Sequence, residues 1–303
     1  MSDSTLDVLL EPGFLTGLRF GFLAVATLWL AGLGWQRWRG RPVPGAGLLL
    51  SGAALLALPL ERLVPVSLLL ALAVLALGGA VWSLLPPVPL IGLVMAAPGA
   101  WLVAFQPDMG TRWMRWFLFG AIVVAAPLVA DFQRRHGDRA LGSPLLALSV
   151  VGIFFTVPDT EEAAVLLGAA LPFTLLAWPR PVASLGSAGS FAVVGLLAWV
   201  IALGGQARPG ALVGAVASLG LLVAEPAGRW LAGKRHSLLD SLGPGVEGAL
   251  VVGSAQLVLV FLTARVAGAQ EGMWEASLIA GPLLIISAIL TVGLQGETVQ
   301  SAG

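Results

Sequence analysis

The sequence has no cysteine, no tyrosine, a single lysine and few charged residues of either sign. Without cysteine, the protein forms no disulfide bond and has no thiolate nucleophile or cysteine-ligated metal. Charged residues make up 11% of the 303 residues, whereas a soluble domain has about a quarter. The formal net charge is zero and no long basic tract occurs. The charge distribution therefore gives no reason to expect nucleic-acid binding.

The chain is instead rich in apolar residues, and 58% of its residues are hydrophobic. Segments of about 20 apolar residues, enough to cross a hydrocarbon core of about 30 Å, recur with gaps too short for a separate domain. In lipid, backbone polar groups must be satisfied within the segment, so each segment is predicted to be helical. We therefore predict an all-α, polytopic integral membrane helix bundle, a single domain over residues 1–303 with no soluble part.

We predict eleven transmembrane helices. Their approximate bounds are 14–35, 45–60, 64–85, 88–105, 116–131, 144–157, 163–178, 188–204, 210–226, 246–266 and 275–294. Pro98, Pro127, Pro172 and Pro282 lie inside these spans. They predict kinks rather than breaks, because neighbouring helices can take up the freed carbonyl groups.

Basic residues are distributed unevenly between the alternate gaps, ten in one set and four in the other. Because cytoplasmic loops carry the excess of basic residues, we predict an external amino terminus and a cytoplasmic carboxyl terminus. The acidic start, MSDSTLDVLLEPG, is the reverse of a signal peptide's basic start, so we expect it to remain on the mature protein. The bias towards alanine, leucine, glycine and arginine is typical of a GC-rich bacterial genome, and we expect a bacterial inner membrane.

Two stretches of the chain resemble each other. GAIVVAAPLVAD, residues 120–131, aligns with GAVASLGLLVAE, residues 214–225. Chance can produce such matches in spans built from four residue types. A true repeat would instead be a parallel unit of four helices, with copies at 12–105, 107–204 and 209–294, and parallel repeats are one of the known transporter plans. Both interpretations stay open.

After an insertion of six residues, the same alignment places His136 opposite His236, and these are the only histidines. As a functional pair they would sense cytoplasmic pH. We favour the alternative, in which both belong to basic inner turns that hold the orientation and contact anionic lipid headgroups.

Few polar residues fall within the spans. Gln256 is the most central, and a lone amide at that depth either lines a path or forms hydrogen bonds between helices. Asp131 and Glu225 lie near predicted span ends, where we expect them to reach headgroups or water. Glu225 and Glu247 flank the same inner gap and can pair with Arg229 or Lys234. A ladder of small residues, Gly210, Gly214 and Ser218, favours close helix contact within a compact bundle or with a partner.

Two turns on the predicted outer side are the densest in charge, FQPDMGTRWMRW at 105–116 and TVPDTEEA at 156–163. Their candidate binding residues are Asp108, Arg112, Arg115, Asp159, Glu161 and Glu162. If the turns meet, the arginines can hold a phosphate while the carboxylates bind a divalent cation or act as a base. The alternative is local, since Asp159 is placed to cap the seventh span, with Glu162 three residues on as in a capping box.

The sequence has no phosphate-binding loop, zinc signature or nucleophile elbow, so we expect no bound metal or cofactor. Helix number, short loops and proline-bearing spans favour a transporter or lipid translocator. The scarcity of intramembrane charge favours a non-catalytic subunit of a larger membrane complex instead. An enzyme acting on a lipid-linked phosphate at the outer face is a third hypothesis, and the protein is more simply explained without catalysis. The expected partners are membrane lipids and, for the second hypothesis, other membrane subunits.

Overall fold

The computed structural model describes residues 12–40, 42–58, 65–86, 88–107, 109–136, 141–157, 161–176, 182–204, 208–233, 237–241 and 246–293. Of these residues, 87% are helical. The strands within the described ranges are two dipeptides, β1 (Val43–Pro44) and β2 (Ala183–Ser184), which pair in parallel. The all-α prediction is therefore confirmed.

The helices of the described ranges follow one another along the chain as α1 (Pro12–Arg39), α2 (Ala46–Ala57), α3 (Val66–Leu84), α4 (Pro89–Ala104), α5 (Arg112–His136), α6 (Gly142–Thr156), α7 (Glu161–Ala170), α8 (Gly186–Gly204), α9 (Pro209–Ala217), α10 (Leu221–Ala232), α11 (Leu238–Ser241), α12 (Val246–Leu262) and α13 (Met273–Gly293). A 3-10 helix, Leu171–Leu176, continues α7, and a π-helical turn, Thr263–Ala267, continues α12.

Within the described part of the chain, six helices are long and apolar enough to cross a membrane, namely α1, α3, α5, α8, α12 with its π turn, and α13. A seventh crossing results if α9 and α10 form one bent span. The protein is thus a multi-pass membrane protein. The other predicted spans coincide with α2, α4, α6 and α7, which have 10 to 16 residues. Such helices are about 15–24 Å long, shorter than the hydrocarbon core, so helix length supports six or seven crossings rather than eleven.

Prolines do not interrupt three of the helices. Pro98, Pro127 and Pro282 lie inside continuous α4, α5 and α13, so the prediction that they leave their helices unbroken is confirmed. At Pro172 the α-helix is replaced by the 3-10 helix. A sharp bend of 73° lies elsewhere, between α9 and α10. There Gly220 has φ 51° and ψ −123°, a conformation that a residue with a Cβ seldom adopts.

Helix α8 occupies the centre of the bundle. It contacts α2, α3, α4, α5, α7 and α9, and most of its residues are buried. Helices α6 and α7 are also largely buried, whereas α1, α3, α12 and α13 expose many large apolar side chains. Apolar outer faces are stable in a bilayer, because lipid tails are as apolar as those side chains.

The small-residue ladder of α9 is used within the chain. The α-carbon of Gly210 packs directly against the backbone of Gln270, and Gly214 packs against Gly268. Ser218 lies against Gly152 of α6 in the same way. A larger side chain at these positions would separate the helices, so the ladder serves close packing within the bundle.

Candidate functional site

A buried ion network joins α5 to α10. Asp131 on α5 and Glu225 and Arg229 on α10 are 1%, 0% and 2% exposed. Arg229 Nε donates to Glu225 Oε1 at 2.6 Å, and Arg229 Nη2 donates to Asp131 Oδ2 at 2.9 Å. Trp230 Nε1 donates to the same Asp131 oxygen at 3.0 Å. We call these four residues the ion network.

Helical spacing explains how the network forms. Glu225 and Arg229 are four residues apart and so lie on one face of α10, and Asp131 and Arg135 have the same relation on α5. Arg135 Nε lies 3.7 Å from Asp131 Oδ1 and is 34% exposed, so this pair marks the outer edge of the network. The contact between α5 and α10 brings the two faces together.

The prediction that Asp131 and Glu225 reach headgroups or water is wrong. The predicted spans ended at residues 131 and 226, whereas α5 continues to His136 and α10 to Ala232. The additional helical turn beyond each acid covers it. Of the two partners predicted for Glu225, Arg229 is confirmed, and Asp131 shares the same guanidinium. The other, Lys234, lies outside the described residues.

His136 extends this cluster. It is 0% exposed, its Nε2 lies 3.6 Å from Glu225 Oε1, and its ring contacts Phe132 at a centroid distance of 4.8 Å. Neither ring nitrogen has a hydrogen-bond partner. The prediction that this histidine contacts lipid headgroups is therefore wrong, because α5 carries it into the bundle. His236 lies outside the described residues.

Gln256 holds together the break between α9 and α10. Its Oε1 accepts a hydrogen bond from the Leu221 N–H at 2.8 Å, at the first residue of α10. Its Nε2 donates to Ser149 Oγ at 3.0 Å and to the carbonyl oxygens of Ser218 and Leu219 at 3.3 and 3.4 Å. The Leu221 N–H and the two carbonyl groups belong to the backbone at the interruption of the helix, where the regular pattern of helical hydrogen bonds is lost. Gln256 thus forms hydrogen bonds between helices rather than facing an open path in this conformation.

The arginines of the first outer turn belong to the start of α5. Arg112 is its first residue, and Arg115 Nη2 donates to the carbonyl oxygen of Pro107 at 3.0 Å. This bond folds the turn back on the helix that follows it. Asp108 lies outside the described residues.

The acids of the second outer turn lie elsewhere in the bundle. Glu161 and Glu162 form the first turn of α7, where carboxylates stabilise the helix dipole. The side chain of Glu161 packs beside Gly13 of α1, and Glu162 is buried next to α2 and α8. Helix α7 packs along α1, and it is not among the helices that pack extensively on α5. Asp159 lies outside the described residues, so the phosphate site between the two turns stays a prediction.

A groove of about 1020 Å³ opens at one end of the bundle, where α1, α3 and α5 end and α2 and α8 begin. We call this cavity the groove. Arg39, Gln133 and Arg134 line it together with small and apolar residues, and the part of its wall that the structure describes contains no acid. None of the predicted site residues that the structure describes lines it.

The two helix starts that line the groove are built alike. β1 and β2 pair in parallel, with Val43 opposite Ala183, and each is followed by a glycine with positive φ, 112° at Gly45 and 69° at Gly186. A positive φ turns the chain from the strand into the helix, and only glycine does so without strain. Gly47 of α2 and Gly189 of α8 then pack backbone against backbone. The helices therefore begin side by side.

Sequence reasoning missed this site, although a signal exists. Arg-Pro-Val occurs twice, at 41–43 and 180–182, and each copy is followed within a few residues by a glycine-containing helix start. The signal is short and carries no catalytic or metal-binding residue type.

The two arginines of the groove are held by other contacts. Arg134 Nη2 donates to the Ser83 carbonyl oxygen at 2.8 Å, and the guanidinium lies 5.0 Å from the ring centroid of Trp82. Arg134 therefore caps the end of α3. The Arg39 guanidinium lies 4.3 Å from the ring centroid of Trp38. Stacking on tryptophan leaves the edges of the Arg39 guanidinium able to donate to an anion. Arg134 Nη2, by contrast, already donates to carbonyl oxygens at the end of α3.

Comparison with known families finds no family model that matches the chain, and comparison with curated proteins finds no significant match. The function is therefore argued from the geometry.

Proposed function

We propose that the protein is a membrane transporter or lipid translocator. The bent span α9–α10 carries this proposal, because it is interrupted within an apolar bundle and its second half holds the ion network. Discontinuous helices form the substrate and ion sites of many transporters, and charges buried in a membrane domain usually mark such pathways.

The proposal includes eleven crossings, with the amino terminus outside and the carboxyl terminus in the cytoplasm of a bacterial inner membrane. The groove supports a bundle in which successive helices run in opposite directions. The ends of α1, α3 and α5 and the starts of α2 and α8 all meet at it. For these ends to lie together, α2 and α4 must run back through the bundle although they are short. This end carries Arg39 and Arg134, in agreement with a cytoplasmic side rich in basic residues.

The proposal also includes a parallel repeat. The alignment makes Asp131 equivalent to Glu225, and both contact Arg229. Each acid also has an arginine four residues further on, Arg135 and Arg229. Continued without the insertion, the alignment places Arg229 rather than Arg235 opposite Arg135. This matched pattern at the contact of α5 with α10 supports a common origin for the two helices.

Accessibility of the helix break tests the proposal. Because the natural chain has no cysteine, a single introduced cysteine is the only labelled thiol. Alternating access exposes a central site to water from one side at a time, so Ser218→Cys should react with a membrane-impermeant methanethiosulfonate although Ser218 is buried. Ser51→Cys is the matched control, since Ser51 is also buried but lies on α2, away from the break.

Movement of lipid provides the second measurement. In proteoliposomes with fluorescent phosphatidylglycerol in both leaflets, external dithionite bleaches only the outer leaflet unless lipid crosses. We expect the protein to raise the bleached fraction above that of protein-free liposomes. The triple variant Asp131→Asn, Glu225→Gln and Arg229→Met, which leaves no uncompensated buried charge, should abolish the increase. If Ser218→Cys labels no faster than Ser51→Cys and no lipid crosses, the protein is a static membrane subunit and the proposal is wrong.

A further inference from the structure

We propose that His136 and Glu225 form a proton-binding site, and that a proton is the ion that drives the transport proposed above. The coupling role rests on the proposed function, since Glu225 lies in the second half of the bent span. Proton binding and transport are measured separately, so one can fail without the other.

The buried charges of the ion network do not balance. Asp131 and Glu225 carry two negative charges, and Arg229, which pairs with both, carries one positive charge. All three residues are at most 2% exposed. Arg135 is 34% exposed at the edge of the network, where water screens its interaction with Asp131. The buried part therefore has an excess of one negative charge, and an uncompensated charge away from water is unfavourable.

His136 is positioned to supply the missing positive charge. It is 0% exposed, and its Nε2 lies 3.6 Å from Glu225 Oε1. Neither ring nitrogen has a hydrogen-bond partner, so the ring can take up a proton without breaking a bond to another group. A neutral imidazole holds one proton, and an added proton occupies the second nitrogen and makes the ring a cation.

Glu225 can accept the hydrogen bond that protonation creates. Its Oε1 accepts from Arg229 Nε at 2.6 Å, and a carboxylate oxygen has a second lone pair. A small movement of the His136 ring shortens the separation to the length of a charge-assisted hydrogen bond, about 2.7–2.9 Å. The buried acids, the arginine and the histidine are then neutral as a group.

The charged and titratable groups around His136 lie on three helices of the described ranges. They are Asp131 and Arg135 on α5, Glu225 and Arg229 on α10, and Asp240 on α11. Asp240 Oδ2 accepts from the Ser237 N–H at 2.8 Å and so belongs to the start of α11. Helix α6, which packs beside α5, has no titratable residue. Glu225 is therefore the acid that faces His136.

A proton fits this position better than a larger cation. The described residues contain no group of three acid or histidine side chains arranged to hold a metal ion. The His136 ring is fully buried and contacts Phe132. A proton needs neither a cavity nor further ligands, and buried histidines and acids form the proton relays of many membrane pumps and transporters.

Nitrogen-15 NMR of the imidazole ring measures proton binding directly. The chain has two histidines, so His236→Gln leaves His136 as the single histidine of the full chain in lipid nanodiscs. We expect its ring to change from the neutral to the charged form during an acid titration from about pH 8 to 5. Adding Glu225→Gln should lower the proton affinity of the ring at least about tenfold, because a neighbouring negative charge favours the charged ring.

Two features make this comparison specific. Glu225→Gln leaves Asp131 paired with Arg229, so the buried charges balance and the variant should fold. Glu275→Gln is the matched control, since it removes an exposed carboxylate at the start of α13 and should leave the titration of His136 unchanged.

Proteoliposomes of phosphatidylglycerol with trapped pyranine measure coupling. A potassium gradient with valinomycin makes the lumen negative, and the protein should then acidify the lumen faster than protein-free liposomes do. His136→Gln keeps a polar side chain but binds no proton, so it should remove this acidification. The variant should keep its thermal stability, because the His136 ring makes no hydrogen bond.

A titration that depends on Glu225, with acidification that depends on His136, supports the proposal. A His136 ring that keeps one charge state throughout, or that titrates equally in Glu225→Gln, overturns it. A protein that moves lipid but no protons overturns it as well. The proposed function fails separately, when no lipid crosses and Ser218→Cys stays protected, and a titrating His136 then keeps the proton site without transport.

Discussion

Replacing Arg229 by methionine tests the importance of the ion network for stability. Arg229 makes two hydrogen bonds to Glu225, at 2.6 and 3.2 Å, and one to Asp131 at 2.9 Å. Its removal leaves two buried carboxylates without their shared cation. Breaking a buried ion pair in this way costs about 3–5 kcal/mol. The free energy of unfolding, measured by titration with sodium dodecyl sulfate in mixed micelles, should fall by that amount.

Two comparisons make the result specific. Arg135→Met removes a partner of the same Asp131, but Arg135 is 34% exposed and 3.7 Å away, so the loss should stay below about 1 kcal/mol. Adding Asp131→Asn and Glu225→Gln to Arg229→Met removes all three charges and should recover most of the stability, because no uncompensated charge stays buried. Equal losses for Arg229→Met and Arg135→Met, or no recovery in the triple variant, would refute the reasoning.

Three further outcomes are expected. Gln256→Leu leaves the Leu221 N–H at the helix break without an acceptor. The free energy of unfolding should therefore fall by about 1–3 kcal/mol in the same titration. No loss would mean that water replaces the amide. Gly17→Ala places a Cβ against the Val165 carbonyl oxygen, whereas Gly34 has open space around it. Gly17→Ala should therefore lower the free energy of unfolding by about 1–3 kcal/mol, and Gly34→Ala should change it little. Similar values for the two variants would contradict the α1–α7 contact. A cysteine added before the first residue should react with an impermeant maleimide in intact cells, and one added after the last residue should react only after lysis; the opposite pattern would invert the orientation.

The helices were predictable wherever the hydrophobicity of a segment alone determines its secondary structure. All eleven predicted spans coincide with helical segments, because apolar runs in lipid have no other way to satisfy their backbones. Helix ends were less predictable. The helical turns after Asp131 and Glu225 contain Arg135 and Arg229, and a hydropathy pattern excludes arginine from a span. These arginines pair with the acids four residues earlier, and the pairs help to stabilise the additional turns.

No sequence signal distinguished Gly220, where the helix breaks after α9, from the other glycines. Its conformation depends on Gln256, which is distant along the chain and satisfies the Leu221 N–H only after the helices pack. Gln256 itself was found as the most central polar residue, but the choice between a path and an interhelical bond required knowledge of its neighbours. The sequence likewise did not decide whether Gly210 and Gly214 contact a helix of the bundle or a partner protein. The packing of Gln270 and Gly268 against them shows that the contact lies within the bundle.

Composition and hydrophobic pattern by themselves determined that this chain is an all-helical, multi-pass membrane protein, because the transfer of backbone and apolar side chains into lipid depends on local sequence. The tertiary structure decided which polar residues meet. Asp131 and Glu225 share Arg229 across nearly a hundred residues, and Gln133, Arg39 and the start of α8 meet in the groove. Such contacts arise when helices distant in sequence pack together, since the energy of a buried charge or donor depends on its neighbours in space.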